Sequence, residues 1–350
     1  MKHRTIAAAL AEALTLGLLA ACQPQSAGGS AAPTSSPAVE AGLPKQSRVG
    51  YFFDTVITIE AYTDDESVLD DAMAECQRYD DLLSKTTEGS DVWKINHANG
   101  ERVAVSQDTR DIIEKALEYS ELSDGRFDIT IEPCVALWDF TGENMGVLPD
   151  EAALAEAASR VDYTKIDIND QGVQLPAGET IDLGAIAKGY ITDRIRDFLV
   201  ERGVTCGILN FGGNVLVIGS KPDGTDWNIG IQDPDSTTGE SIAVVPVHDS
   251  AVVTSGIYER GFDLDGVRYH HILDTSTGWP VQNELAGITI LAGDAFDADA
   301  LSTTVFAMGL EEGTAFVESL EGVEAVFITR DEQVSWTSGL NDRLTLLNNG

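Results

Sequence analysis

Two histidines stand side by side at 270 and 271 in a chain that has five in all, with Arg260 and Arg268 close by. Imidazole takes and gives protons near neutral pH, and a guanidinium grips phosphate through a planar fork of donors. Basic residues are scarce here, 22 against 58 acidic ones, so their gathering within 254–281 points to proton transfer beside a phosphate. Adjacent strand residues face opposite sides, so at most one of the two histidines can serve a site. The same stretch also reads as a plain hairpin turning at Leu264, Asp265 and Gly266 with exposed basic side chains.

Three further groups carry possible chemistry. Asp294, Asp297, Asp299, Ser302 and Thr303 offer oxygen only. Asp299 and Thr303, four apart on an expected helix, share one face, and such a set suits Mg²⁺, which keeps waters and adds substrate phosphates. The competing reading is a helix capped by Asp297 with solvated acids behind it. In Ile181-Asp182-Leu183-Gly184-Ala185-Ile186-Ala187-Lys188-Gly189-Tyr190, a glycine turn enters a helix and can present backbone groups to a ligand. Asp182 and Lys188 flank it with opposite charges; a strand–turn–helix with a surface lysine is the ordinary alternative. In Asn210-Phe211-Gly212-Gly213-Asn214, two glycines inside an apolar run imply close approach of something flat or of another backbone, or else a β-bulge.

These groups need elements to hold them. Residues 51–62 read as a strand, and 65–83 and 109–122 as amphipathic helices, with Gly125 beyond the second as a stop. A short alanine-rich helix starts at Pro149 and Asp150. A helix is expected through 199 after the Gly184 turn, and 206–218 is β-rich. Residues 251–254, 288–291 and 323–329 read as strands, and 297–308 as a helix with Asp297 as N-cap and Gly309 as stop. Helices and strands alternate irregularly without a repeat, which favours an α+β fold over a doubly wound sheet.

The net charge of −36 argues against nucleic acid as a partner, since no cationic excess exists to displace counterions. It also means that a phosphate-bearing substrate needs a cation or a local basic cluster. A hydrophobic content of 43% is enough for a real core. The first residues look like a targeting segment: Lys2, His3 and Arg4, an apolar run 6–19 too short for an ordinary membrane span, then Leu19-Ala20-Ala21-Cys22. This resembles a bacterial lipoprotein signal over 1–22, with Cys22 as the lipidated mature N-terminus. Residues 23–44, rich in Ala, Ser, Gly and Pro, are expected to form a flexible tether, leaving a folded unit over 45–345. Cys76, Cys134 and Cys206 form no CxxC pair and are expected to be small buried hydrophobes.

Taken together and in order, these segments resemble the FAD:protein FMN transferases, once described as thiamine-biosynthesis lipoproteins. The resemblance is carried by TVITI at 55–59, GRFDIT at 125–130, LWDF at 137–140, IDLGAIAKGY at 181–190 and NFGGN at 210–214. It continues through TSGIYER at 254–260, YHHILDTSTGWPV at 269–281 and DALSTTVFAMG at 299–309. It implies an α+β fold of two interleaved subdomains with mixed or antiparallel sheets, flanking helices and FAD bound between them. By motif position, Asp182 and Lys188 match FAD contacts, and Arg126, Phe127 and Asp128 match a segment along the flavin or ribityl chain. Ile272 matches a backbone contact beside the phosphates. Phe53 stands where the family often has a methionine near FAD. The Ala185 carbonyl, Asp299 and Thr303 match a Mg²⁺ set. His271 occupies the family's catalytic position in His-Ile-Leu-Asp, and Arg260 would stabilise phosphate charge. Further departures are Thr86, where a tyrosine is common, Thr275-Ser276, where Pro-Arg is common, and Ala136 and Asp139 near Trp138, where Asn or Gly is common. The implied reaction is Mg²⁺-dependent transfer of FMN from FAD to a threonine of another protein with release of AMP. The implied acceptors are flavoprotein subunits of extracytoplasmic or membrane redox complexes. An FAD pyrophosphatase and a non-catalytic FAD-binding lipoprotein are the alternatives.

Overall fold

The computed structural model describes residues 42–236 and 239–347. The expected signal segment with Cys22, and the tether up to residue 41, lie outside the described residues. Along the chain run β1 (Lys45–Phe52), β2 (Thr55–Tyr62), α1 (Ser67–Leu83), α2 (Asp91–His97), α3 (Gln107–Leu122), α4 (Glu132–Val135) and α5 (Glu151–Ala158). Next come β3 (Asp167–Asn169), β4 (Gly172–Gln174), α6 (Ala187–Glu201), β5 (Gly207–Phe211), β6 (Asn214–Ile218), β7 (Trp227–Gln232), β8 (Ser241–Val247) and β9 (Ala251–Gly256). The last part holds β10 (Gly261–Leu264), β11 (Val267–His270), β12 (Leu285–Ala292), α7 (Ala295–Met308), α8 (Leu310–Glu318), β13 (Glu324–Thr329), β14 (Val334–Trp336) and β15 (Thr345–Leu346).

The centre is an eight-stranded sheet in the order β1-β2-β5-β6-β9-β12-β13-β14. Every described strand pairing is antiparallel, so the expected α+β class holds and no parallel pairing is seen. Side chains alternate across each strand, and here both faces are covered. Leu216, Val253, Ile290 and Phe327 point into one core with the buried stripes of α1, α3, α6 and α7. Their neighbours Val217, Val252, Leu291 and Val326 point the other way, against Ile229 and Ile231 of β7 and Val245 and Val247 of β8. That is why β12 is buried along its whole length and reads as a continuous apolar run rather than an alternating one.

Some boundaries differ from the sequence expectation. The strand expected over 51–62 is broken by a two-residue hairpin turn at Phe53 and Asp54, both at positive φ (55° and 56°). Such turns usually use Asn-Gly or Asp-Gly, so nothing in Phe-Asp marks the bend. Gly212 and Gly213 (φ 63° and 96°) form the corresponding turn between β5 and β6, not a bulge within one strand. A Cβ on Gly212 would collide with the side chain of Thr55, so the expected close approach is real, and it joins these two turns at one end of the sheet. The expected Asp265–Gly266 turn is present between β10 and β11 (φ 51° and 80°). The N-cap of α7 is Asp294, which accepts from Asp297 N at 2.8 Å. Asp297 instead binds Tyr119 Oη at 2.8 Å and Lys115 Nζ at 3.0 Å. The three described cysteines are buried and free, as expected. Among the described residues no helix is long and apolar enough to cross a membrane.

Candidate active site

The site is built where α6 crosses α7 at the turn-bearing end of the sheet. Gly189 makes the crossing close: a Cβ there would run into the Ala295 carbonyl and lie 2.6 Å from Asp299 Cβ. Asp299 is 3% exposed, and its Oδ2 accepts from Gly189 N at 2.8 Å. In a regular helix that N–H would serve the carbonyl four residues earlier, Ala185. Its diversion leaves the Ala185 carbonyl with no backbone partner among the described residues. Thr303, one turn beyond Asp299, is half-buried. The Ala185 carbonyl, the Asp299 carboxylate and the Thr303 hydroxyl are hard oxygen donors carried by the turn before α6 and by α7, which the Gly189–Asp299 bond ties together. Among the described residues no three His, Cys, Asp or Glu side chains gather as a metal cluster. The donor set fits Mg²⁺, which takes few protein ligands and fills its sphere with water and phosphate. Ser302, considered with this group, is turned into the core, bonded to Ser255 Oγ at 2.8 Å.

Lys188 stands beside this carboxylate, its Nζ 3.8 Å from Asp299 Oδ1 and 3.3 Å from Asn214 Oδ1. Glu259 faces the same glycine turn, its Oε1 3.9 Å from where a Cβ on Gly213 would stand. Its surface is open to solvent, yet the surrounding protein crowds it. That desolvation, partly offset by Lys188 and Arg260, pushes its carboxyl up to about 7. Arg260 alone among the described arginines has a guanidinium with no hydrogen bond or ion pair, a free phosphate gripper in a strongly acidic chain. His271 N donates to the Arg260 carbonyl at 3.2 Å, and its Nδ1 lies 3.3 Å from the same oxygen. A carbonyl can only accept, so Nδ1 carries the proton and Nε2 keeps its lone pair. The ring is partly exposed, yet crowding by the surrounding protein, and then the charge of Arg260, lower its pKa to about 3, so the resting ring is neutral. His270 faces the core instead, fully buried, with Nε2 3.1 Å from the Val281 carbonyl. The two histidines do split between faces.

The loop bearing His271 is anchored by aromatic packing. Trp138 Nε1 donates to the Gly278 carbonyl at 2.9 Å, and its ring meets Phe140, Tyr269 and Trp279 with centroids 5.2, 5.9 and 5.3 Å away. Thr275, one of the two family departures in this loop, ties it to the 125–128 segment by donating to the Gly125 carbonyl at 2.7 Å. Ile272 is buried, its carbonyl accepts from Val281 N at 2.9 Å, and its own amide has no backbone partner among the described residues.

The segment 126–128 is placed differently from a row of contacting side chains. Phe127 is 2% exposed and packs edge-on against Tyr119. The Asp128 carboxylate accepts from Thr130 N and Tyr163 N, both at 2.8 Å. Arg126 forms a two-pronged pair with Glu312 at 2.6 and 3.0 Å. The apolar ring and the committed carboxylate serve the fold, so backbone is what Phe127 and Asp128 have to offer a ligand. Asp182 adjoins this segment, its N donating to the Ile129 carbonyl at 2.8 Å. Phe53 is half-buried on its strained turn, its N held by Asp80 Oδ1 at 2.9 Å.

Sequence reading missed Lys85 and Glu132. Lys85 Nζ bridges Glu132 Oε2 at 2.7 Å and Asp182 Oδ2 at 2.6 Å. Desolvation raises Asp182, but Lys85 and the Gly184 amide outweigh it and hold the carboxyl low. Glu132, desolvated and facing Asp182, is pushed up to about 7. No motif marked these two, because 47 residues separate them; only their shared position beside Asp182 reveals them. Asn214 and Glu259 lay inside quoted motifs; burial and the bond from Lys188 single out the first, and the nearby charge of Lys188 the second.

The ApbE family profile matches residues 53–327. A FAD:protein FMN transferase of Klebsiella pneumoniae is 36% identical over 300 residues, covering 84% of this chain and 92% of the relative. One of Treponema pallidum is 35% identical over 298 residues, covering 80% and 82%. The crystal structure of the ApbE protein of Thermotoga maritima superposes with a TM-score of 0.79 at 33% identity, covering 85% of this chain and 98% of that one. Fold, site and relatives together define an α+β transferase. The chain belongs to the ApbE family.

Proposed function

We propose that this protein cleaves FAD, transfers the FMN half to a threonine hydroxyl of a target protein through a phosphoester bond, and releases AMP, in a Mg²⁺-dependent reaction. The observation that carries this reading is the Asp299–Gly189 bond, which leaves the Ala185 carbonyl without its helical partner and ties a buried carboxylate to the start of α6, with Lys188 Nζ 3.8 Å from that carboxylate. Ala185, Asp299 and Thr303 would hold Mg²⁺, which when bound offsets the pyrophosphate charge that an acidic protein repels. Lys188 and Arg260 bind phosphate oxygens and stabilise the charge that builds on them. His271, neutral and with Nε2 open, orients the threonine hydroxyl or takes its proton as the new P–O bond forms. The threonine oxygen bonds to the FMN phosphorus, the P–O bond to the AMP half breaks, and the electron pair leaves with AMP. Asp182 and the backbone of 126–128 and Ile272 align the flavin side, with Phe53 at its rim. The acceptors are flavoprotein subunits of extracytoplasmic or membrane redox complexes, reached from a membrane surface to which a lipid on Cys22 would hold the chain.

The test combines the protein with FAD, Mg²⁺ and a candidate acceptor, and follows covalent flavin fluorescence on a denaturing gel. Asp299→Ala should lower transfer on the order of 100-fold or more, and His271→Ala should slow transfer while sparing FAD binding. Full activity of Asp299→Ala, or its activity without added divalent cation, would refute the metal assignment. AMP release at the same rate without any acceptor would replace the transferase reading with a pyrophosphatase.

A further inference from the structure

Asn214 is fully buried immediately after the Gly212–Gly213 turn. Its Oδ1 accepts from Lys188 Nζ at 3.3 Å. An ammonium can only donate, so chemistry fixes the carboxamide: the oxygen faces the lysine and Nδ2 faces away. Nδ2 then has no hydrogen-bond partner. An amide donor buried without an acceptor is destabilising, and a residue that would cost less could stand here. A fold keeps such a group where its other end is needed.

What that other end does follows from the partners of Lys188. Its second contact is Asp299 Oδ1 at 3.8 Å, a long reach to a carboxylate whose other oxygen is committed to Gly189 N. With Asp299 alone, the flexible lysine would be drawn down onto the carboxylate, cancelling its charge. Asn214 pulls from another side with a neutral oxygen that leaves the charge intact. Its own backbone cannot drift, because it pairs with Phe211 of β5 and Val253 of β9. Resting on the reading of the site as one that cleaves FAD, we infer that Asn214 is a positioning residue that holds the Lys188 ammonium clear of Asp299 and available to the FAD phosphates.

A residue that acts through Lys188 and one that merely fills the core predict different couplings. FAD affinity of the full chain is measured by quenching of flavin fluorescence for wild type, Asn214→Ala, Lys188→Ala and the double variant, with Mg²⁺ present. Asn214→Ala should weaken FAD binding about tenfold, the size of one lost hydrogen bond to a charged group. In the Lys188→Ala background the same change should cost less than twofold. Should the alanine variant not fold, Asn214→Ser, whose hydroxyl is too short to reach Nζ, goes through the same cycle with the same expectation. Additive losses, or unchanged affinity of the single variant, overturn the inference while leaving the site reading intact. Absence of FAD binding by the wild-type chain overturns the site reading itself, and this inference falls with it.

Discussion

At the scale of single residues, the two adjacent histidines show how surroundings assign roles. His271 meets only a backbone carbonyl and keeps an open nitrogen. His270 is sealed between Phe306 and the Val281 carbonyl, and desolvation lowers its pKa from 6.5 to about 4. That shift has a direction for stability. The unfolded chain binds this proton more readily, so the contribution is fully present above pH 6.5 and is lost as pH falls towards 4. The shift is worth about 3 kcal/mol. His270→Gln, which keeps a donor for Val281, should remove roughly that much of the acid loss in urea unfolding between pH 7 and 4. An unaltered slope would show that the acid sensitivity comes from elsewhere.

At the scale of elements, the site depends on one crossing and two turns. Gly189 lets α6 approach α7 closely enough for its own N–H to reach Asp299. Gly189→Ala should therefore cost on the order of 1–3 kcal/mol through overpacking and should also lower activity. Wild-type melting and turnover would contradict the close-approach argument. The β1–β2 turn is strained in a different way, since Asp54 occupies left-handed backbone without being glycine. Asp54→Gly should raise stability by about 1 kcal/mol, read as a higher urea midpoint. A lower midpoint would mean that the aspartate side chain contributes more than its backbone costs.

At the scale of the whole molecule, one sheet serves two cores. Leu216 and Val217, or Ile290 and Leu291, are chain neighbours that belong to opposite cores, so neither side can melt without exposing the other. Thermal unfolding should be a single transition, coincident by far-ultraviolet circular dichroism and tryptophan fluorescence. A separate early loss of the β7–β8 layer would show that the cores are energetically independent. The same architecture gathers Lys188, Arg260 and His271 at one end of a chain whose net charge is −36. A local basic group can thus form on a surface that otherwise repels phosphate.

The sequence by itself determined the α+β class, the main helices, the Asp-Gly turn and the order of the chemistry-bearing motifs. Each of these rests on short-range patterns: periodicity, turn residues, spacing along one helix. It could not mark the bend at Phe53–Asp54, because that turn is imposed by strand pairing on residues with no preference for it. Nor could it pass the cap of α7 from Asp297 to Asp294, a choice between two acids three residues apart. The tertiary structure alone decided that Phe127 is core and that Lys85 meets Glu132 and Asp182. It alone also brought Lys188 Nζ within hydrogen-bond reach of Asn214 Oδ1. These depend on which distant surfaces are pressed together and emptied of water, and local sequence does not encode that.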